Sequence, residues 1–163
     1  MKYNAVCVVA FISMFLGTPS DAMAIPFRFE LAKPQFVQLE LQNTGDALRI
    51  AVLNSSDRLI KVNKRFSYGS EVGWFELAFV VKDEHGTVRG YVMKTTSSPP
   101  EEEDWCYLWP NQFVGSDIPL RQIRADFGLV PGRYTIEAEY LFRSNAGTIV
   151  SRIDSELVTV ILK

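Results

Sequence analysis

The sequence predicts an all-β protein, an antiparallel β-sandwich of about seven to eight short strands with almost no helix. Three observations carry the prediction. From Phe36 onward apolar and polar residues alternate in most segments, the period-two pattern of a strand with one face on a core and one in water. Clusters of Asn, Asp, Ser and Gly punctuate the chain roughly every dozen residues, the spacing of short antiparallel strands. No segment keeps apolar residues at the 3.6-residue period of an amphipathic helix. Half-buried strands of this kind satisfy themselves as two sheets sharing one core.

The first residues read as an address. Met1-Lys2-Tyr3-Asn4 precede an uncharged apolar run from Ala5 to Gly17, shorter than the ~20 residues of a membrane-spanning helix. Thr18, Pro19 and Ser20 break the run, and Ala22-Met23-Ala24 is the small-x-small pattern read by signal peptidase. Residues 1–24 are therefore expected to be a cleaved signal peptide, and the mature chain to be periplasmic or secreted. Residues 25–35, with Pro26 and Pro34, form a lead-in, and 36–163 form the domain. No later stretch is long and apolar enough to span a membrane.

Within the domain, Val37-Gln38-Leu39-Glu40-Leu41-Gln42 alternates and ends at the turn Asn43-Thr44-Gly45-Asp46. Leu48, Ile50 and Val52 form the inner face of the next strand, which ends at Asn54-Ser55-Ser56-Asp57. Leu59 to Lys64 is a third strand with Ile60 and Val62 inward. Phe66 to Gly73 reads as a loop. Trp74 to Lys82 is the strongest strand, with Phe75, Leu77, Phe79 and Val81 on one face. Asp83-Glu84-His85-Gly86 is a hairpin turn in which Gly supplies the positive φ, and Thr87 to Met93 is the returning strand. The polar segment Lys94 to Asp104 leads into Trp105-Cys106-Tyr107-Leu108-Trp109-Pro110. Phe113 to Leu120 is a weak strand interrupted by Gly115 and Pro119, and Arg121 to Gly128 is a loop or a single helical turn. Tyr134, Ile136, Ala138 and Tyr140 then face inward from a strand whose Arg133, Thr135, Glu137 and Glu139 face out. Leu157 to Leu162 closes the chain.

The stretch Leu129-Val130-Pro131-Gly132-Arg133-Tyr134-Thr135-Ile136 resembles the L-x-P-G-x-Y-x-hydrophobic signature of immunoglobulin-like and fibronectin-III-like domains. Val52 to Asp57 and Val81 to Gly86 are similar to stretches of exported bacterial immunoglobulin-like domains, so the resemblance covers about residues 36–163. It implies an immunoglobulin-like sandwich, with Pro131 and Gly132 shaping a turn and Tyr134 bonding back to the backbone as a tyrosine corner. The antibody-type Cys…Trp…Cys core is absent. Folds of this kind host many functions, so the resemblance implies no particular one.

Composition narrows the chemistry. Lys and Arg number 17 against 19 Asp and Glu, without the basic surplus that neutralises nucleic-acid phosphates. The two cysteines and single histidine are too few for a disulfide scaffold or a Cys/His zinc site. Cys7 leaves with the signal, so the mature chain holds Cys106 alone and forms no internal disulfide. Cys106 is expected to be buried between Trp105 and Tyr107 rather than to pair between molecules. Histidine-dependent nucleophilic catalysis would have to use His85, which falls in a turn. No catalytic residue, metal site or cofactor is expected.

Glu101, Glu102, Glu103 and Asp104 lack the alternating ligands and glycine of a calcium loop and read as a solvated charge run. Trp105, Tyr107 and Trp109 share one side of a strand. We expect them to be buried at the end of the core; exposed, they would form a flat platform for a sugar ring or a partner protein. This acidic and aromatic stretch is the longest connection and the first place to seek a binding surface. The overall expectation is a non-catalytic binding or assembly module of the cell envelope, working through protein–protein contacts with an unidentified partner. Two alternatives stand beside it: a carbohydrate-binding module, or a secreted enzyme inhibitor that inserts the 99–109 loop.

Overall fold

A computed structural model describes residues 30–31, 34–69, 73–144 and 146–163. The signal-peptide expectation, residues 1–24, and most of the 25–35 lead-in lie outside the described residues. Eleven strands and one α-helix are present among those described: β1 (Glu30–Leu31), β2 (Val37–Asn43), β3 (Ala47–Asn54), β4 (Ile60–Asn63), β5 (Leu77–Asp83), β6 (Val88–Arg89), β7 (Trp105–Leu108), β8 (Phe113–Pro119), α1 (Leu120–Asp126), β9 (Gly132–Arg143), β10 (Ile149–Asp154) and β11 (Val158–Leu162). The described strands form three sheets, β1-β4-β7, β2-β3-β8 and β10-β9-β5-β6, the last with β11 also on β9. The fold is an all-β sandwich, antiparallel in each described strand pair except the parallel pair β1–β4, with an isolated parallel bridge between Tyr68 and Leu77.

Alternation explains the layers. Leu48, Ile50 and Val52 of β3, Ile60 and Val62 of β4, Leu77 and Val81 of β5, and Tyr134, Ile136, Ala138 and Tyr140 of β9 are all buried in one continuous core. Each fully buried Ile or Val side chain is worth roughly 1.5–3 kcal/mol of transfer free energy, enough to lock the register wherever one face is apolar.

The eleven strands exceed the seven to eight expected, since the two-residue β1 and the strand β10 fall outside the strands that the alternation predicts. Between β3 and β4 the fully buried Asn54 replaces the missing rungs. Its Nδ2 donates to the Leu108 carbonyl at 2.9 Å and the Arg58 carbonyl at 2.7 Å. Its Oδ1 accepts from the Ser56 amide at 3.0 Å and hydroxyl at 2.7 Å. The same residue's backbone bonds to Gln112 and Asn111, across the break between β7 and β8. Between β10 and β11 the buried Ser155 acts similarly: its Oγ accepts the Ala138 amide at 2.9 Å, where a strand carbonyl would otherwise stand.

Further elements differ from the sequence prediction, and β5 begins at Leu77 rather than at Trp74. The returning strand over Thr87 to Met93 is only Val88–Arg89. The Asp83 carboxylate closes the turn by accepting the amides of His85 at 3.0 Å and Thr87 at 2.9 Å, and it pairs with Arg89 at 2.7 Å. The chain then leaves the sheet, because the Val92 amide bonds to the Asp126 carbonyl at the end of α1. The segment with no clear period is α1, whose Leu120 and Ile123 are buried with Phe127 and Leu129 just beyond. It ends at Gly128, φ +59°, with the Leu129 amide reaching back to the Arg124 carbonyl, a left-handed helix stop. Two turns are too short to display a helical period. At the start of β9, the buried Tyr134 donates from its hydroxyl to the Val130 carbonyl at 3.0 Å, tying the strand to the turn through Pro131 and Gly132.

Candidate functional site

Strands β4 and β7 build the site. Their register sets Ile60 opposite Leu108, Lys61 opposite Tyr107, Val62 opposite Cys106 and Asn63 opposite Trp105. Ile60, Val62 and Leu108 enter the core. Lys61, Trp105 and Tyr107 therefore fall on the other side. The Lys61 ammonium lies 5.5 Å from the Trp105 ring centre and 5.9 Å from that of Tyr107, within cation–π range, and 2.6 Å from Glu102 Oε1. Its stem is largely buried while Glu102 is exposed, so the ion pair itself contributes little.

The expectation that the aromatic run is buried is corrected here. Trp105 is half-buried, but Tyr107 is 45% and Trp109 49% exposed. Leu108 fills the core, and strand alternation turns its two neighbours outward. Cys106 is half-buried rather than buried, and forms no disulfide among the described residues.

Beneath this face lies a polar network that the sequence does not announce. Glu76 is 6% exposed. Its carboxylate accepts from Arg65 Nε at 3.1 Å and Nη2 at 2.5 Å, from Asn63 Nδ2 at 3.2 Å, and from the Ser67 amide at 3.2 Å and hydroxyl at 2.5 Å. Arg65 reaches further, to the carbonyl of Trp74 and, at 2.9 Å, to that of Ser98. Ser97 Oγ also donates to the Trp74 carbonyl at 2.8 Å. The Tyr140 hydroxyl donates to the Asn63 carbonyl at 3.0 Å. Burial, with the Glu76 carboxylate nearby, pushes the Tyr140 phenol well above its ordinary range, so it remains a donor.

These bonds fasten the acidic segment to the body. Glu102–Asp104 form a single 3-10 turn. Asp104 accepts the Glu101 amide at 2.8 Å and lies 3.9 Å from Arg65, while its carbonyl accepts the Lys64 amide. Glu101, Glu102 and Glu103 are exposed and Asp104 is half-buried. Residues 99–104 thus form a strap laid along the sandwich, running directly into β7.

Between the strap and the strands lies a cleft of about 540 Å³, lined among others by Trp74, Pro99, Pro100, Trp105, Phe142 and Lys61. Of the binding candidates read from the sequence, Trp105 alone is among the residues that line the cleft, and Tyr107, Trp109 and Glu101–Asp104 are not. Trp74 reads in sequence as the start of a strand. Glu76 stands between Phe75 and Leu77 at the outward phase of their alternation, so its burial against Arg65 leaves no signal in the sequence. His85 stands in its turn, exposed, 3.6 Å from Glu84. Among the described residues no cluster of His, Cys, Asp or Glu is arranged to hold a metal ion, and no helix is long and apolar enough to cross a membrane. Neither protein-family models nor curated proteins give a match to this chain.

Proposed function

We propose that this chain is a non-catalytic binding module, exported to the envelope or beyond, that engages a partner protein through the strap, the aromatic face of β7 and the cleft between them. The observation that carries the reading is the outward placement of Tyr107 and Trp109 beside a cleft walled by Trp74 and Trp105. Aromatic rings supply contact area at small entropic cost and dominate interface energetics. The buried Arg65–Glu76 network holds the strap in one geometry, and preorganisation of this kind lowers the cost of binding. Export rests on the pattern of residues 1–24.

The test is site-specific photo-crosslinking in the producing cells, with the crosslinker replacing the exposed Glu103 of the full chain. A discrete adduct that disappears in a Tyr107→Ala/Trp109→Ala variant is the expected result; a diffuse pattern indifferent to both changes overturns the reading. The exposure of the same two rings favours a second reading, a glycan platform. Absence of wild-type binding in a polysaccharide pull-down removes it, as does undiminished binding by Trp105→Ala/Trp109→Ala.

A further inference from the structure

The outer edge of β8 carries an inference independent of the cleft and the strap. β8 pairs with β3 on one side and with no described strand on the other. The bonds at the ends of β3 fix which way its backbone groups face. The Asn54 amide donates to the Gln112 carbonyl, and the Leu120 amide to the Asp46 carbonyl, so the even-numbered residues of β3 turn toward β8. The Ser55 amide donates to the Phe36 carbonyl, and the Thr44 amide to the Ala47 carbonyl, so the odd-numbered residues turn toward β2. Val52 stands opposite Val114, Ile50 opposite Ser116 and Leu48 opposite Ile118. Val114, Ser116 and Ile118 therefore commit their amides and carbonyls to β3. Phe113, Gly115 and Asp117 point theirs away from the sheet, where no backbone partner meets them among the described residues.

Exposed edges are normally blunted by brevity, bulges, cover or projecting charge. Other edges of this fold follow that rule. β6 is two residues long, and β10 carries a register shift between Ile149 and Ser151. β2 is tied to β11 by Asn43 Nδ2, which donates to the Thr159 carbonyl at 2.9 Å. β8 instead runs for seven residues in unbroken register. Its one charged residue, Asp117, is drawn back onto its own sheet by Arg49, at 2.9 and 3.0 Å. Phe113, on the same outer face, is 60% exposed.

This edge is its own complement. Laid antiparallel about a two-fold axis at Gly115, each Gly115 faces the other, and Phe113 faces Asp117 of the second copy. All three outward residues then exchange both of their backbone bonds. Axes at Val114 or Ser116 do worse: they set Asp117 opposite Asn111, or Phe113 opposite Pro119. The Asn111 amide is already bonded to the Asn54 carbonyl, and proline has no N–H. The same two residues end the pairing at either side. Gly115 leaves the crossing point clear of side chains. The two Asp117 carboxylates stand apart, each neutralised by its own Arg49 and facing an aromatic ring. A two-fold axis uses up both edges, so association closes at two copies. We propose that β8 pairs with β8 of a second copy in this register, joining two β2-β3-β8 sheets into one.

Sedimentation velocity of the purified full chain over a concentration series, joined to residue-resolved amide hydrogen exchange, tests this. The expected result is a monomer–dimer equilibrium in which the amides of Phe113, Gly115 and Asp117 gain protection as concentration rises. Two substitutions at the exposed Phe113 test the register without touching the core. Phe113→Asp sets a carboxylate opposite Asp117 of the second copy, whereas Phe113→Lys sets an ammonium there. The dimer of Phe113→Asp is expected to be about tenfold weaker than that of Phe113→Lys, since like charges directly across a strand pair repel and opposite charges attract. A monomer at every concentration overturns the inference. So does a dimer whose β8 amides exchange as fast as in the monomer, or one weakened equally by both substitutions. Growth beyond two copies that responds to the Phe113 substitutions overturns the closed two-fold arrangement.

Discussion

Replacing Arg65 with alanine is the sharpest test of how the site is held together. The side chains of Arg65 and Glu76 are only 19% and 8% exposed, so solvent screens the pair weakly. Removing one member of a buried pair typically costs about 3–5 kcal/mol, because the remaining charge loses its compensation. In Arg65→Ala the Glu76 carboxylate loses Nε and Nη2 but keeps Asn63 Nδ2, the Ser67 amide and the Ser67 hydroxyl. Three retained donors place the cost at the lower end, about 3 kcal/mol. The Ser98 and Trp74 carbonyls lose the same guanidinium, so the strap should loosen as well. Urea unfolding gives the free energy, read as a lower midpoint at unchanged slope, and limited proteolysis over residues 94–104 reports the strap. The double replacement Arg65→Met/Glu76→Leu removes both charges and should recover much of the loss. A loss below about 1 kcal/mol for Arg65→Ala, the range of exposed pairs, would refute the argument that this network is a buried anchor.

Further outcomes follow from the same geometry. Asn54→Ala strips bonds to Leu108, Arg58 and Ser56 from a fully buried site, and should cost about 2 kcal/mol or more in urea unfolding. Gly115→Ala places a Cβ 2.4 Å from the Ile50 carbonyl oxygen on the paired strand; strands β3 and β8 must separate, and a loss of about 1–3 kcal/mol is expected in thermal or chemical unfolding. Acid should destabilise the fold through Asp83 and Asp117. Their carboxyls are held below the ordinary carboxylate range, Asp83 chiefly by the Thr87 amide and Asp117 by its hydrogen bond from Arg49. A depressed folded-state pKa means stability that is present above the unfolded value, about 3.9, and lost as pH falls through the folded one. Asp117→Asn should therefore flatten the acid limb of a stability–pH profile, and an unchanged limb would exclude this source.

The strands were legible where one face is plainly apolar. Phe75, Leu77, Phe79 and Val81 are all buried as their alternation requires, and so are Tyr134, Ile136, Ala138 and Tyr140. Legibility failed wherever a partner distant in sequence decides the outcome. The strand expected after Thr87 ends early because Val92 bonds to Asp126, a contact no local pattern encodes. The aromatic run was misplaced for a related reason. Its alternation shows that Trp105, Tyr107 and Trp109 share a side, but only pairing with β4 sets which side faces the core. Of the cleft, Trp105 was visible as a candidate, whereas Trp74 and Phe142 join it from other strands.

The class of fold and the phase of most strands are legible in the sequence alone, because a period of two is a local property of neighbouring side chains. The same holds for the chemical inventory: near-neutral charge, one histidine and a single cysteine after the apolar run of residues 5–17. Only the tertiary structure decided that Glu76 is buried against Arg65, that the acidic run is a fastened strap, and that Tyr107 and Trp109 face outward. Each of these depends on residues brought together across sheets and connections, and the energy of such contacts depends on burial that sequence neighbours do not set.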